Sequence, residues 1–217
     1  MSKKHKILLV DDHPLVREWL ANLINEQPDL LVCGEVSNAP EALQLIGSAK
    51  PNIVIVDLSL EDGSGIELIK NIKSIYSDVS AIVLSMHDEH LYAERSLRAG
   101  ARGYIMKREA TKNVLQAIRA VLDGKLYVSE KIAATIAKKF VGGRPAVIES
   151  PVEQLSDREL EVFQLLGRGY NTRQIAEHLH VGFKTVQAYC ARIKDKLDLT
   201  NINELLFHAV RWHESNN

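Results

Sequence analysis

Ile7-Leu-Leu-Val-Asp-Asp-His13 sets four apolar residues against two consecutive carboxylates, and Ile53-Val-Ile-Val-Asp57 repeats the pattern with one. A short apolar run closed by an acid reads as a strand buried on both faces, as in a parallel sheet. Working outward, Leu31–Val36, Ala81–Leu84 and Gly103–Met106 are further strands. Helical spacing lies between them, first over Leu15–Glu26, with Leu15, Trp19, Leu20, Leu23 and Ile24 on one face. It recurs over Pro40–Ser48, Ile66–Ile75 and Glu89–Ala99, and from Lys112 to Leu122 with Thr111 as cap, while Gly63–Gly65 reads as a loop. Five strand–helix units with short connections predict an α/β fold: a five-stranded parallel sheet, doubly wound, with helices on both faces. Such sheets place their reactive groups beyond the carboxyl ends of the strands.

The length of 217 residues suits two small domains better than one. Hydrophobic residues at 46% and charged residues at 25% exclude a mainly disordered chain. A formal net charge of −1 means that any charge for nucleic acid must be local. The two cysteines, Cys33 and Cys190, are far apart and have no metal-ligand spacing, so neither a disulfide framework nor a zinc site is expected, and a reducing cytoplasm fits. The apolar run Ile7–Val10 is too short for a secretion signal, and no stretch approaches the roughly 18 apolar residues of a membrane span.

Asp11 and Asp12 follow the first strand, Asp57 the third, Ser85 the fourth and Lys107 the fifth, so all meet at one sheet edge. Three carboxylates there repel one another unless a hard cation sits among them, and Mg²⁺ suits oxygen ligands of this kind. A cation, an ammonium and a hydroxyl converging on a carboxylate form a receptor for a phosphoryl group. Asp57, ending the central strand, is the expected nucleophile.

The motifs Leu9-Val-Asp-Asp-His13, Ile55-Val-Asp-Leu58, Val83-Leu-Ser85 and Tyr104-Ile-Met-Lys107 resemble the receiver domains of response regulators, over residues 5 to about 123. The resemblance implies a flavodoxin-like receiver whose Asp57 takes phosphate from a sensor histidine kinase. It implies that Asp12 and Asp57 bind Mg²⁺ directly, with the main-chain oxygen of Ser59, and that Asp11 acts mainly through water. Ser85 and Tyr104 would reorient on phosphorylation. Met86, where many receivers carry a small residue, would restrict access to Asp57.

The chain from Ser129 to Phe140 reads as one more amphipathic helix, and Gly and Pro punctuation after it reads as a linker. We divide the chain into residues 1–125, a linker with a helix over 126–150, and an all-helical remainder, 151–217. The remainder predicts helices Asp157–Leu166, Thr172–Leu179, Phe183–Lys196 and Asn203–Trp212. Ser156 with Glu159 is a capping-box signature, and Gly167 and Gly169 end that helix. The third helix has Val186, Ile193 and Leu197 as its apolar stripe, with Phe183 and Tyr189 as further candidates for the core.

Two helices around the turn His180-Val-Gly182 form a helix-turn-helix, whose second helix enters the major groove of double-stranded DNA. Lys184, Arg192, Lys194 and Lys196 stand there against the single acid Asp195. Lys184, Thr185, Gln187, Ala188 and Arg192 face away from the apolar stripe and can reach base edges, with Thr172 and Arg173 on the preceding helix as further contacts. Residues from about 150 to 214 resemble the LuxR-type DNA-binding domain of the NarL/FixJ regulators, on Leu155–Glu161, Gly169, Ile175-Ala176, Thr185-Val186 and Lys196-Leu197. This implies a four-helix domain whose last helix mediates dimerisation, and a homodimer promoted by phosphorylation. Gln187 and Tyr189 stand where that family commonly has lysine and histidine.

Two rival functions could use the same residues. One is a phosphotransferase or phosphatase on small molecules; phosphatases of the haloacid-dehalogenase type need a second acid two residues after the nucleophilic aspartate, where Ser59 stands here, and no nucleotide-binding glycine loop is present. An enzyme is therefore not expected. A receiver that only scaffolds protein partners, without DNA binding, is the second rival.

Overall fold

The computed structural model describes residues 4–60, 63–141 and 151–215, the side chains of residues 63 and 139–141 excepted. The chain divides into two compact units, Met1–Val141 and Gly142–Asn217.

The first unit runs β1 (His5–Val10), α1 (Pro14–Asn25), β2 (Leu30–Val36), α2 (Ala39–Ala49) and β3 (Ile53–Val56). A short hairpin of β4 (Ser59–Leu60) and β5 (Gly63–Ser64) follows, then α3 (Gly65–Ile75), β6 (Ser80–Ser85) and α4 (Glu89–Ala99). β7 (Gly103–Met106), a 3₁₀ turn at Lys107–Glu109, α5 (Ala110–Leu122) and α6 (Glu130–Val141) complete it. The main sheet is five-stranded in the order β2-β1-β3-β6-β7, parallel throughout, as the acid-closed apolar runs predict.

Alternation divides the strand residues between two faces. Ile7, Leu9, Ile53, Ile55, Ile82, Leu84 and Ile105 pack with Leu20 and Ile24 of α1 and with Val114, Ala117, Ile118 and Val121 of α5. Leu8 lies on the opposite face, where a Cβ on Gly34 would collide with Leu45 of α2 and approach Leu8 to 3.3 Å.

Four expectations change. Leu15 is 79% exposed and does not belong to the core face of α1, which is Leu20, Ala21 and Ile24 with Trp19 and Leu23 at its margin. Thr111 lies inside α5 rather than capping it, because the 3₁₀ turn already starts the winding at Lys107. Gly63 and Gly65 do not form an open loop: one pairs in the hairpin and the other begins α3. The chain also does not leave the first unit at residue 125. Tyr127 bridges to Gly103, its amide donating to Arg102 O (2.9 Å) and its carbonyl accepting from Tyr104 N (2.9 Å), and α6 belongs to this unit. The rest of the expected linker, 142–150, lies outside the described residues.

The second unit has a 3₁₀ turn at Pro151–Gln154, then α7 (Asp157–Gly167), α8 (Thr172–His178), α9 (Phe183–Leu197) and α10 (Ile202–Ser215). The capping box of α7 is present, with Ser156 N donating to Glu159 Oε2 at 2.7 Å. Gly169, at φ +88°, closes α7: its amide donates to Leu166 O and that of Tyr170 to Leu165 O, both at 3.0 Å, a Schellman arrangement. Gly167 stays helical and serves packing instead, since a Cβ there would meet Ala209 O of α10 at 2.5 Å.

Candidate phosphoryl pocket and nucleic-acid interface

Asp11, Asp57, Ser85 and Lys107 stand just beyond or at the carboxyl ends of β1, β3, β6 and β7, so the parallel topology alone brings them together. The Asp57 amide donates to Val10 O at 2.8 Å, which carries the ladder one residue past β3 and fixes the carboxylate at the edge. A Cβ on Gly65 would overlap the main-chain oxygen of Asp57, so α3 starts this close only because residue 65 is glycine.

Lys107 Nζ lies 2.7 Å from Asp57 Oδ2 and 2.8 Å from Asp11 Oδ2. Asp57 and Asp11 are each only 3% exposed. Burial pushes the Asp57 carboxyl up to about 6; the Lys107 charge and hydrogen bond pull it down, and Asp11 adds repulsion. Burial works against the Lys107 ammonium, but Asp57 and Asp11 outweigh it and hold its pKa above the ordinary lysine value.

Asp11, Asp12, His13 and Asp57 offer ligand atoms that all lie within 4.8 Å of one another. Asp11 Oδ2 and Asp12 Oδ1 are buried atoms whose neighbours, Lys107 and His13, are ionic contacts without hydrogen-bond alignment, which leaves lone pairs for a cation. This oxygen-rich donor set fits a hard divalent ion, and receiver domains in general bind Mg²⁺ in such an acidic pocket.

Ser85 is fully buried; its Oγ accepts from His87 N at 3.1 Å, and a side-chain hydrogen bond joins its hydroxyl to Tyr104. Tyr104 is 3% exposed and donates to His87 O at 2.8 Å. Burial drives the Tyr104 phenol far above its ordinary range, so it stays neutral. Ser59 N approaches Asp57 Oδ1 at 3.4 Å. Met86 is 71% exposed and turns to solvent rather than into the core.

Sequence reasoning left two residues of this site unassigned. His13 donates its amide to Asp11 Oδ1 at 2.9 Å and sets its ring against both acids. His87 joins the loop after β6 to that after β3. Adjacency to the acidic pair was a signal for His13. Nothing local signalled His87.

In the second unit, Asn171 caps α8, its Oδ1 accepting from Arg173 N (3.0 Å) and Gln174 N (3.1 Å). The tight turn before α9 takes its positive φ at His180 (+51°), whereas Gly182 is extended and caps α9. The buried stripe of α9 is Val186, Cys190 and Ile193; Cys190 replaces Leu197, which is half-buried. Phe183 is 41% exposed and Tyr189 half-buried, with the Arg192 guanidinium 5.6 Å from the Tyr189 ring centre, so neither is core. Thr172, Ala188 and Lys194 are half-buried, and Arg173, Lys184, Thr185, Gln187 and Arg192 are exposed.

Lys196 differs from the other cations of α9. Its ammonium lies 2.6 Å from Glu159 Oε2 and donates to Gln154 O at 3.2 Å. Its charge is directed inward, onto an acid only 3% exposed. Burial would raise the Glu159 carboxyl, but Lys196 and Ser156 outweigh it and hold it below its ordinary range.

Residues 7–119 match the family described as response regulator receiver domain, and residues 153–209 match bacterial regulatory proteins of the luxR family. The oxygen regulatory protein NreC of Staphylococcus haemolyticus is 35% identical over 210 residues, 95% of this chain and 97% of that protein. A structure of a LuxR-family two-component response regulator from Aurantimonas sp. is 36% identical, with 64% of this chain and 99% of that one covered at a TM-score of 0.59. RcsB from Salmonella enterica serovar Typhimurium, bound to promoter rprA with the phosphomimetic BeF₃⁻, is 25% identical. It covers 96% of this chain and 99% of its own at a TM-score of 0.69. Among the described residues no helix is long and apolar enough to cross a membrane.

Proposed function

The chain belongs to the response regulators that pair a receiver with a luxR-family DNA-binding domain, and on that premise we propose that phosphorylation of Asp57 controls its binding to promoter DNA. The observation that carries this reading is the Lys107 ammonium held between Asp57 and Asp11, beside Asp12, at the carboxyl edge of the sheet.

The donor is the phosphohistidine of a sensor kinase. A carboxylate oxygen of Asp57 forms the bond to phosphorus as the bond from phosphorus to the kinase imidazole breaks. Lys107 follows the negative charge onto the phosphoryl oxygens, and the Ser85 hydroxyl donates to another of them. Asp12, Asp57 and the main-chain oxygen of Ser59 would hold Mg²⁺ directly, and Asp11 through water. Bound Mg²⁺ supplies the hard positive charge that lets carboxylates and phosphoryl group stand together. Tyr104 and Ser85 both contact the main chain of His87, so a change at Ser85 is felt by Tyr104 and α4.

The test is direct. With Mg²⁺ and a small phosphodonor, the wild type forms a labile phosphoprotein and Asp57→Asn does not. Only the wild type then gains affinity for DNA upstream of its own operon. Multiple turnover of an unrelated phosphoester would favour an enzyme, and a phosphoprotein without DNA affinity at low salt a scaffold.

On DNA, α9 enters the major groove with Thr185, Gln187, Ala188 and Arg192 toward base edges, while Lys184, Lys194, Thr172 and Arg173 meet phosphates. Lys184→Ala is expected to weaken binding to all sequences alike and to reduce the slope of log K against log salt by about 1, read from titrations at several salt concentrations. The phosphorylated form is a homodimer in the cytoplasm. Ile202, Leu206 and Val210 leave an exposed apolar row on α10 beside the buried Leu205 and Ala209, which supports this helix as the contact between second units. Val210→Glu is expected to lower operator affinity at least tenfold (about 1.4 kcal/mol) while leaving single-site binding by the monomer intact, as followed by mobility shift on full and half operators.

A further inference from the structure

We infer that a cavity at the amino ends of β6 and β7 is a binding site for a small aliphatic carboxylate, with its chain inside and its charge at Lys73 and Arg102. The site is separate from Asp57, and the inference does not depend on phosphorylation there.

The cavity measures about 530 Å³. Sites for small organic ligands span about 300–1,000 Å³. It opens where α3 and α4 end and where β6 and β7 begin. Asp57, Ser85 and Lys107 stand at the opposite end of the same strands, so a ligand here touches none of them. The shape follows from the end of α4. Gly100 stops that helix at φ +122°, a conformation suited to glycine. A Cβ there would meet Lys73 Cδ at 2.5 Å, so the aliphatic stem of Lys73 lies across the helix end.

Ile69, Ile72 and Ala81 line the inside and are at most 2% exposed. Leu97 is half-buried, and Leu126 is 56% exposed at the rim. An aliphatic chain laid on these residues would take their remaining apolar surface out of water. The charge at the site has one sign. Lys73 and Arg102 line the cavity, both are exposed, and no acid stands among the described lining residues. Among the described residues Lys73 has no hydrogen-bond or ion-pair partner. Arg102 donates one N–H to Gly124 O at 2.6 Å and keeps the rest of its guanidinium donors. A cationic ligand would be repelled here, and a bare inorganic anion would leave the aliphatic interior unfilled. An anion with an aliphatic body satisfies both parts, and a carboxylate matches the planar fork of Arg102.

The experiment titrates full-length, ¹⁵N-labelled protein with octanoate and follows the backbone amides. Saturable shifts are expected over residues 79–81 and 100–102, with a Kd of about 1 mM or tighter. Octanamide, which carries the same chain without the charge, should bind about threefold more weakly or worse, the scale of exposed ion pairs. Lys73→Gln should weaken octanoate binding by a similar factor, and so should Leu126→Glu, which sets a carboxylate at the rim. Both positions are exposed, so amides away from the cavity should keep their wild-type positions. Failure to saturate, or shifts centred elsewhere, would remove the site. Octanamide binding as tightly as octanoate, or either variant binding octanoate as tightly as the wild type, would overturn the recognition of an anion.

Discussion

Asp57→Asn is expected to be more stable than the wild type at pH 7.5 in chelator, by up to about 3 kcal/mol, and this advantage should vanish below pH 4. The carboxyl titrates near 3.8 when unfolded and at about 6 in the folded protein, chiefly because burial penalises its charge. Between these values the folded state holds a proton that the unfolded state has released, so stability falls as pH rises through about 6. About two pKa units correspond to about 3 kcal/mol. That figure already contains the attraction of Lys107 and the repulsion of Asp11, since both act on the same charge. Asparagine resembles the protonated acid and carries no such cost. Chemical denaturation followed by Trp19, at the margin of the core cluster of the first unit, reads the difference. Added Mg²⁺ should narrow the gap, because it binds the folded wild type more tightly than the variant. A variant no more stable than the wild type at pH 7.5 would mean that Asp57 is not ionised at a cost.

The same unfavourable charge explains why the site was legible. Carboxylates placed after buried strands work against folding, so three of them with a lysine at successive strand ends point to chemistry rather than solvation. The parallel sheet and the candidate nucleophile were both legible in residues 7–13 and 53–57, because a buried strand closed by an acid is a local pattern of the sequence. What could not be read depends on packing between distant segments. Leu15 has the spacing of a core residue yet faces solvent, because the apolar arc of α1 is filled by Leu20, Ala21 and Ile24. Tyr127 looks like the start of a linker until its main chain is seen paired with Arg102 and Tyr104. His87 gains its place through partners that include Ser59, Ser85, Tyr104 and Tyr92, brought together from separate strand ends rather than by a local pattern.

Lys196 shows the same limit with the opposite sign. By sequence it is one more cation on a DNA-facing helix; by structure it ties α9 to the capping box of α7. Lys196→Met is therefore expected to destabilise the second unit by about 2 kcal/mol and to leave the salt slope of DNA binding unchanged. Breaking a fully buried ion pair costs about 3–5 kcal/mol, and an exposed pair about 0–1. Glu159 is only 3% exposed but the Lys196 side chain is 37% exposed, which places the pair between these limits. The pH dependence has a definite sign. The Glu159 carboxyl is held below its unfolded value of 4.5, so the pair contributes stability above that pH and loses it as pH falls through the folded value. The wild type and Lys196→Met should therefore converge in acid. Trp212, whose ring meets Phe163 of α7 at 5.9 Å, reports unfolding of this unit, and Trp19→Phe removes the other tryptophan from the signal. A stable Lys196→Met with a salt slope reduced by about 1 would return Lys196 to the phosphate contacts.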